Sequence, residues 1–145
     1  MAGHINYRLN VIAHRWSALV VAQARSAYRL GPAPMRLLTV IARSQPISPG
    51  ELVARTALDS PKVARAVGVL VEQGLVARTP DAQDGRRAVL TATPEGARVF
   101  AGIDGFSRRI EARVTASLTP TERRHLDAIL DKLEAATRQL QQASG

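Results

Sequence analysis

The sequence predicts a mainly α-helical fold carrying one small β-hairpin, and three observations predict it. Hydrophobic residues make up 46% of the 145-residue chain, drawn mostly from Ala, Val and Leu, while aromatics reach only 3%. Such a mixture favours helices packed closely through small side chains. Four places repeat one local pattern, Ser48-Pro49, Ser60-Pro61, Thr93-Pro94 and Thr119-Pro120, in which a hydroxyl is placed to cap a helix and Pro to occupy its first turn. Finally, the turn-rich run Pro80-Asp81-Ala82-Gln83-Asp84-Gly85 lies between two short strand-like segments, the signature of a hairpin. The length is that of one ordinary domain, so a single unit over 1–145 is expected.

The first helix is read from Ile5, Leu9, Ile12, Trp16 and Leu19, which recur at three- and four-residue steps and so share one face. Gly31 and Pro32 end it. After Leu19 the helix is rich in Ala and Val on more than one side, which suits contact with both its own domain and a second surface. Helices follow from about Pro34 to Arg43, from Pro49 to Arg55, and from Pro61 to Gln73, where Gly74 closes the last. Leu75 to Thr79 and Arg87 to Thr91 form the strands of the hairpin. A helix then runs from Pro94 to near Leu118, striped by Val99, Ile103, Phe106, Ile110 and Val114, and a last one starts at the Thr119 cap. Its Leu126, Leu133 and Leu140 are heptad-spaced, with Ile129, Leu130 and Ala136 between them. Glu51 after Ser48 and Glu122 after Thr119 complete two capping boxes, the firmest boundaries in the chain.

These elements make a winged helix-turn-helix lobe over 32–92, flanked by helical regions at 5–30 and 94–141. Terminal helices around so small a module bury little unless they meet each other or another chain. Dimerisation is the preferred reading of their stripes, with ordinary core as the alternative.

Twenty Lys and Arg against 12 Asp and Glu give a formal charge of +8, and nearly all the cations are Arg, which forks onto phosphate or guanine. A polyanionic partner is the natural inference, although charge alone does not separate nucleic acid from an anionic membrane surface. The absence of Cys rules out a disulfide framework, thiolate metal ligation and thiol-based oxidation sensing. Met1 to Leu9 lacks an apolar signal core, and no apolar run approaches the roughly 18 residues of a membrane span, so a cytoplasmic protein with no membrane role is expected. His4 and His125 are isolated, and no phosphate loop, nucleophile elbow or catalytic carboxylate pair is present. Neither a metal, a cofactor nor an enzymatic activity is expected.

Two short helices joined by a tight turn and followed by a hairpin present the second helix to the DNA major groove. The outer side of that helix carries Ser60, Lys62 and Arg65, while Val63, Val67, Leu70 and Val71 point to the core. Arg65 is the candidate base reader, since a bidentate Arg contact to guanine discriminates by roughly 1–3 kcal/mol. Lys62 serves phosphate or base. The plainer alternative makes both residues solvated helix charges. At the hairpin tip, Asp84-Gly85-Arg86-Arg87 offers two guanidinium groups to a minor groove. Asp84 either orients Arg86 through a charge-assisted pair or simply forms an Asp-Gly turn.

In order of elements and in residues from about Tyr7 to Leu140, the chain resembles the multiple antibiotic resistance regulator (MarR) family of winged-helix repressors. The segments carrying the likeness are Ser48-Pro49-Gly50-Glu51-Leu52-Val53, Lys62-Val63-Ala64-Arg65-Ala66-Val67, Leu70 to Arg78, Asp84-Gly85-Arg86-Arg87, Thr93-Pro94-Glu95-Gly96 and Leu118 to Arg123. The resemblance implies a homodimer on a pseudo-palindromic operator of double-stranded DNA, a recognition helix in each major groove, and Arg86 in the minor groove. Ser48 and Arg87 join Ser60, Lys62, Arg65 and Arg86 as DNA-contact candidates. Gly68, where the family commonly has a polar residue, and the Pro32/Pro34 entry to the second helix depart from the pattern. In a helix interior Gly68 costs about 1 kcal/mol against Ala, which means either a close backbone approach or a softer helix.

The resemblance further implies a pocket between the dimerising helices and the DNA-binding lobe, commonly for small aromatic acids or phenols. His14, Arg15 and Trp16 offer a proton-switchable donor, a carboxylate clamp and a stacking surface. Consecutive helical positions face different directions, however, so the alternative places Trp16 in the core and Arg15 on the surface. The leading expectation is a ligand-responsive repressor; the alternative is a sequence-tolerant architectural or silencing DNA binder without an effector.

Overall fold

A computed structural model describes residues 4–143. The ends of the unit expected over 1–145 lie outside the described residues. The elements are α1 (Ile5–Tyr28), α2 (Pro32–Ser44), α3 (Pro49–Thr56), α4 (Ser60–Glu72), β1 (Val76–Pro80), β2 (Ala88–Ala92), α5 (Pro94–Val114) and α6 (Pro120–Ala143). The fold is mainly helical with one antiparallel hairpin. The chain divides into two compact units, Met1–Arg108 and Arg109–Gly145, with the boundary inside α5. No described helix is long and apolar enough to cross a membrane.

The core of the first unit is the helix-turn-helix lobe. Leu37, Leu38 and Ile41 of α2 are fully buried, as are Leu52 of α3 and Leu70 of α4. Each fully buried aliphatic side chain stabilises the fold by about 1.5–3 kcal/mol relative to exposure. Val63, Ala66 and Val67 complete the inner stripe of α4. Val71, expected in that stripe, is 41% exposed: it lies a further 100° round the helix from Leu70 and falls on the margin of the buried face.

The hairpin pairs Val76 with Ala92 through Pro80 with Ala88, one residue later on both strands than expected. A bridge between Ile47 and Leu90 adds a third short segment, so β2 is tied to the stretch before α3. The Ile47 and Leu90 backbones exchange both hydrogen bonds, at 3.2 and 2.8 Å, and both side chains are buried. The Gln45 side chain also accepts from the Ala92 N–H at 2.7 Å. Gly96 is required where α5 passes the base of the hairpin, because a Cβ there would stand 1.9 Å from the Leu75 carbonyl oxygen.

Helix starts follow local chemistry. Ser48 caps α3 in a full capping box, its hydroxyl accepting from Glu51 N–H and the Glu51 carboxylate accepting from Ser48 N–H at 2.8 Å. Thr119 and Glu122 repeat the arrangement before α6, and Thr93 Oγ1 accepts from Gly96 N–H at 3.0 Å. The fourth start differs from expectation. Asp59, not Ser60, is the N-cap of α4, its carboxylate accepting from Lys62 N–H at 2.8 Å. Ser60 is the first helical residue and Pro61 the second, which Pro tolerates because its absent N–H lies in the turn whose donors are unpaired anyway. α5 ends at Val114, short of Leu118, because the chain tightens into i→i+3 bonds from Ala116 to Arg113 and from Leu118 to Thr115.

Candidate nucleic-acid interface

α4 stands on the lobe with its buried stripe inward, which leaves Ser60, Pro61, Lys62, Ala64, Arg65 and Gly68 on the outer face, all exposed. Packing alone therefore puts Arg65 where a groove-bound helix would reach bases. Arg65 has no hydrogen bond or ion pair with the described residues. Lys62 does: its ammonium lies 3.2 Å from Asp59 Oδ2, while the other oxygen of that carboxylate holds the helix cap. The Asp59 pKa is lowered, chiefly by the Lys62 backbone N–H and then by its side-chain contact with Lys62. Nothing lies within 4 Å of a Cβ added at Gly68. No close approach among the described residues explains this glycine.

In the hairpin loop Asp84 Oδ1 accepts from the Arg86 backbone N–H at 3.1 Å, and Asp84 O accepts from Arg87 N–H at 2.9 Å. Asp84 is thus a turn residue; it does not pair with the Arg86 guanidinium. Support for the wing is conformational, since the turn aims the loop and leaves the Arg86 side chain exposed, with no hydrogen bond or ion pair to it among the described residues. Arg87 is also exposed, but its charge helps to lower the Glu51 pKa, behind the larger effect of the Ser48 hydrogen bonds. With Ser48 and Glu51 it borders a cavity of about 600 Å³. Ser48 is half-buried and spends its hydroxyl on the α3 cap, which leaves it less free for DNA than Ser60.

A second, larger cleft lies in the same unit. It has a volume of about 980 Å³ and is bordered by His14, Trp16 and Arg25 of α1, by Met35, Arg36 and Arg43 of α2, and by Ile103 of α5. Of the three α1 residues singled out from sequence, His14 and Trp16 border it. Arg15 does not; it is exposed outside the cleft, because successive residues are rotated by about 100°. Its place as a cleft cation is taken by Arg25 and Arg36. Arg25 lies three turns beyond His14 on the same face, a spacing readable in sequence, whereas the approach of α2 depends on the tertiary fold. Arg36 reaches the Thr56 carbonyl at 3.5 Å. Arg43 pairs with Asp104 at 3.3 Å and lies 5.6 Å from the Phe100 ring centre. Among the described residues no three His, Asp or Glu side chains are grouped to hold a metal ion.

A three-helix lobe with an outward fourth-helix face and an adjoining arginine-tipped hairpin defines a winged-helix protein. Residues 30–87 match the family model described as the MarR family. Over 136 residues the chain is 28% identical to a Thauera aromatica protein assigned to transcriptional regulation of the hcr operon, covering 92% of this chain and 80% of that one. A solved MarR-family regulator from Silicibacter pomeroyi is 28% identical, with a TM-score of 0.76 over 92% of this chain and 90% of its own. A chain described as a MarR-family regulator from Listeria monocytogenes, solved with a 26mer DNA, is 20% identical with a TM-score of 0.80 and covers 92% of this chain and 89% of its own. Over residues 30–87 the chain is thus similar to the MarR family, and through most of its length it is similar to winged-helix transcriptional regulators.

Proposed function

We propose that the protein is a homodimeric, sequence-specific repressor that binds a pseudo-palindromic operator and releases it when a small anionic molecule occupies the cleft. The observation that carries the DNA reading is the pairing of an outward α4 face bearing an exposed Arg65 with a wing bearing an exposed Arg86, neither side chain in a hydrogen bond or ion pair among the described residues. Two such elements suit major-groove and minor-groove contacts respectively. The Listeria relative bound to a 26mer DNA is consistent with this use of the fold.

Dimerisation is supported by apolar side chains that the described residues leave uncovered. Ile12 and Leu19 of α1 are each 51% exposed, and no residue of α6 is buried. Effector binding is supported by the chemistry of the cleft. Arg25 and Arg36 suit a carboxylate, while Trp16 and Met35 suit an aromatic ring.

Selection of bound sequences from a random duplex library, followed by titration of the recovered site at several salt concentrations, tests the reading. An inverted repeat with half-site centres about one helical turn apart is the expected result. No enriched sequence, with affinity collapsing as salt rises, would favour the architectural alternative, which the charge of +8 also accommodates. Small aromatic acids titrated against the selected complex should lower its affinity, since an effector acts only through a difference in binding to the two states.

A further inference from the structure

We infer that Asp59 is a specificity-setting positioning residue of the DNA interface: it closes the N-terminus of α4 to phosphate and holds Lys62 neutralised, leaving Arg65 to act through base contacts. The inference rests on the DNA-binding reading of α4 given above.

The N-terminus of a helix attracts phosphate through unpaired N–H groups and the positive end of the helix dipole. In α4 that position is already taken by a side chain of the same chain. Asp59 Oδ1 accepts from Lys62 N–H at 2.8 Å, and Oδ2 lies 3.2 Å from Lys62 Nζ. One carboxylate therefore satisfies both the backbone donor and the ammonium nearest the tip of the helix. The two opposite charges lie together at the helix tip, and the Asp59 charge also reaches Arg65. Of the remaining outer-face residues in the first two turns, Ser60, Pro61, Ala64 and Arg65, only Arg65 brings a net charge.

Phosphate contacts strengthen binding to every sequence alike, whereas base contacts discriminate. A carboxylate that engages one phosphate-seeking cation directly and repels the backbone lowers non-specific affinity, while Arg65, which it reaches only through its charge, keeps its guanidinium for a base. The cost to the protein is small, because Asp and Asn are equally good caps and the cap is needed in any case.

Asp59→Asn isolates the charge, since Asn keeps the cap. Wild type and variant are titrated with the selected site and with a shuffled duplex of equal length, across a salt series. The variant should bind the shuffled duplex several-fold more tightly, narrow the ratio of the two affinities, and steepen the salt slope by about 0.9, the increment for one added phosphate contact. Adding Lys62→Gln should return the slope to the wild-type value; Lys62→Gln alone should lower it by less than the roughly 0.9 of a lost phosphate contact, because Asp59 rather than DNA holds the ammonium that the sequence offered as a DNA contact. Lys62→Gln needs no change at the cap, so it tests the inference even if Asp59→Asn folds poorly.

An unchanged slope and ratio in Asp59→Asn would overturn the inference. So would selective loss of affinity for the chosen site with thermal stability intact, because Asp59 would then read bases itself. A slope that drops by about 0.9 in Lys62→Gln alone would place Lys62 already on a phosphate and would overturn it equally. Wild-type protein that prefers no sequence would instead sink the sequence-specific reading, a failure visible before any variant is made.

Discussion

In the proposed reading, Arg65 and Arg86 carry different kinds of information at the scale of single residues. Arg65 sits on the outer face of α4, so Arg65→Ala should relax preference at one position per half-site, at a cost of about 1–3 kcal/mol on the selected sequence. Arg86 sits on a loop held by the Asp84 turn. Its replacement by Ala should weaken binding to all sequences more evenly and flatten the salt slope by about one unit. Library selection repeated with each variant separates the two outcomes. Gly68 lies two turns into α4, and an added Cβ meets no protein atom there. Gly68→Ala should therefore stabilise the DNA-free protein by about 1 kcal/mol, a rise in melting temperature of roughly 2–4 °C by calorimetry.

At the scale of elements, the boundaries set by short-range chemistry are legible in the sequence. Ser48 with Glu51 and Thr119 with Glu122 announce α3 and α6 because a capping box needs only residues three apart. The α4 cap falls one residue before the one that the Ser-Pro pattern suggests. Asp59 and Ser60 are both good caps, and a carboxylate paired with Lys62 competes better than a hydroxyl. The Ile47 to Leu90 bridge has no sequence signal, since it joins segments 43 residues apart. The same holds for the α2 wall of the cleft, while the rotation excluding Arg15 follows from helical geometry alone.

The carboxylate caps have a consequence for pH. The Glu122 pKa is lowered, first by the Thr119 backbone N–H and then by its hydroxyl, and Glu51 is lowered in the same way by Ser48. A carboxyl with a folded pKa below its unfolded one contributes stability above the unfolded pKa, and that contribution is lost as pH falls through the folded pKa. Glu122→Gln should thus destabilise α6 at neutral pH and make less difference once the wild-type carboxyl is protonated. Urea midpoints for the two proteins should draw together between about pH 7 and about pH 3.

The molecule as a whole leaves its terminal helices with apolar faces that its own described residues do not cover. Ile5, Leu9, Ile12 and Leu19 of α1 are exposed, as are Leu126, Ile129, Leu130 and Leu133 of α6. Scattered apolar residues on a surface are ordinary, but contiguous stripes of this length mark a contact. A second copy is the partner that the proposed function calls for, because two recognition helices in one dimer turn the second half-site contact into an intramolecular event. The charge pairs on these helices are exposed, as in Arg138 with Glu134 at 3.8 Å, and contribute little to association. In such a dimer, burial of the leucines would supply most of it. Replacing Leu130 and Leu133 together by Glu places charges within the stripe without touching the DNA-binding lobe. Sedimentation should then report half the wild-type mass, with the helical content of the lobe retained. Affinity for the full operator should fall to that for a single half-site, while the contrast between selected and shuffled half-sites survives. A variant that stays dimeric would move the interface away from α6, and α1, tested by Ile12→Glu with Leu19→Glu, would be left to carry it.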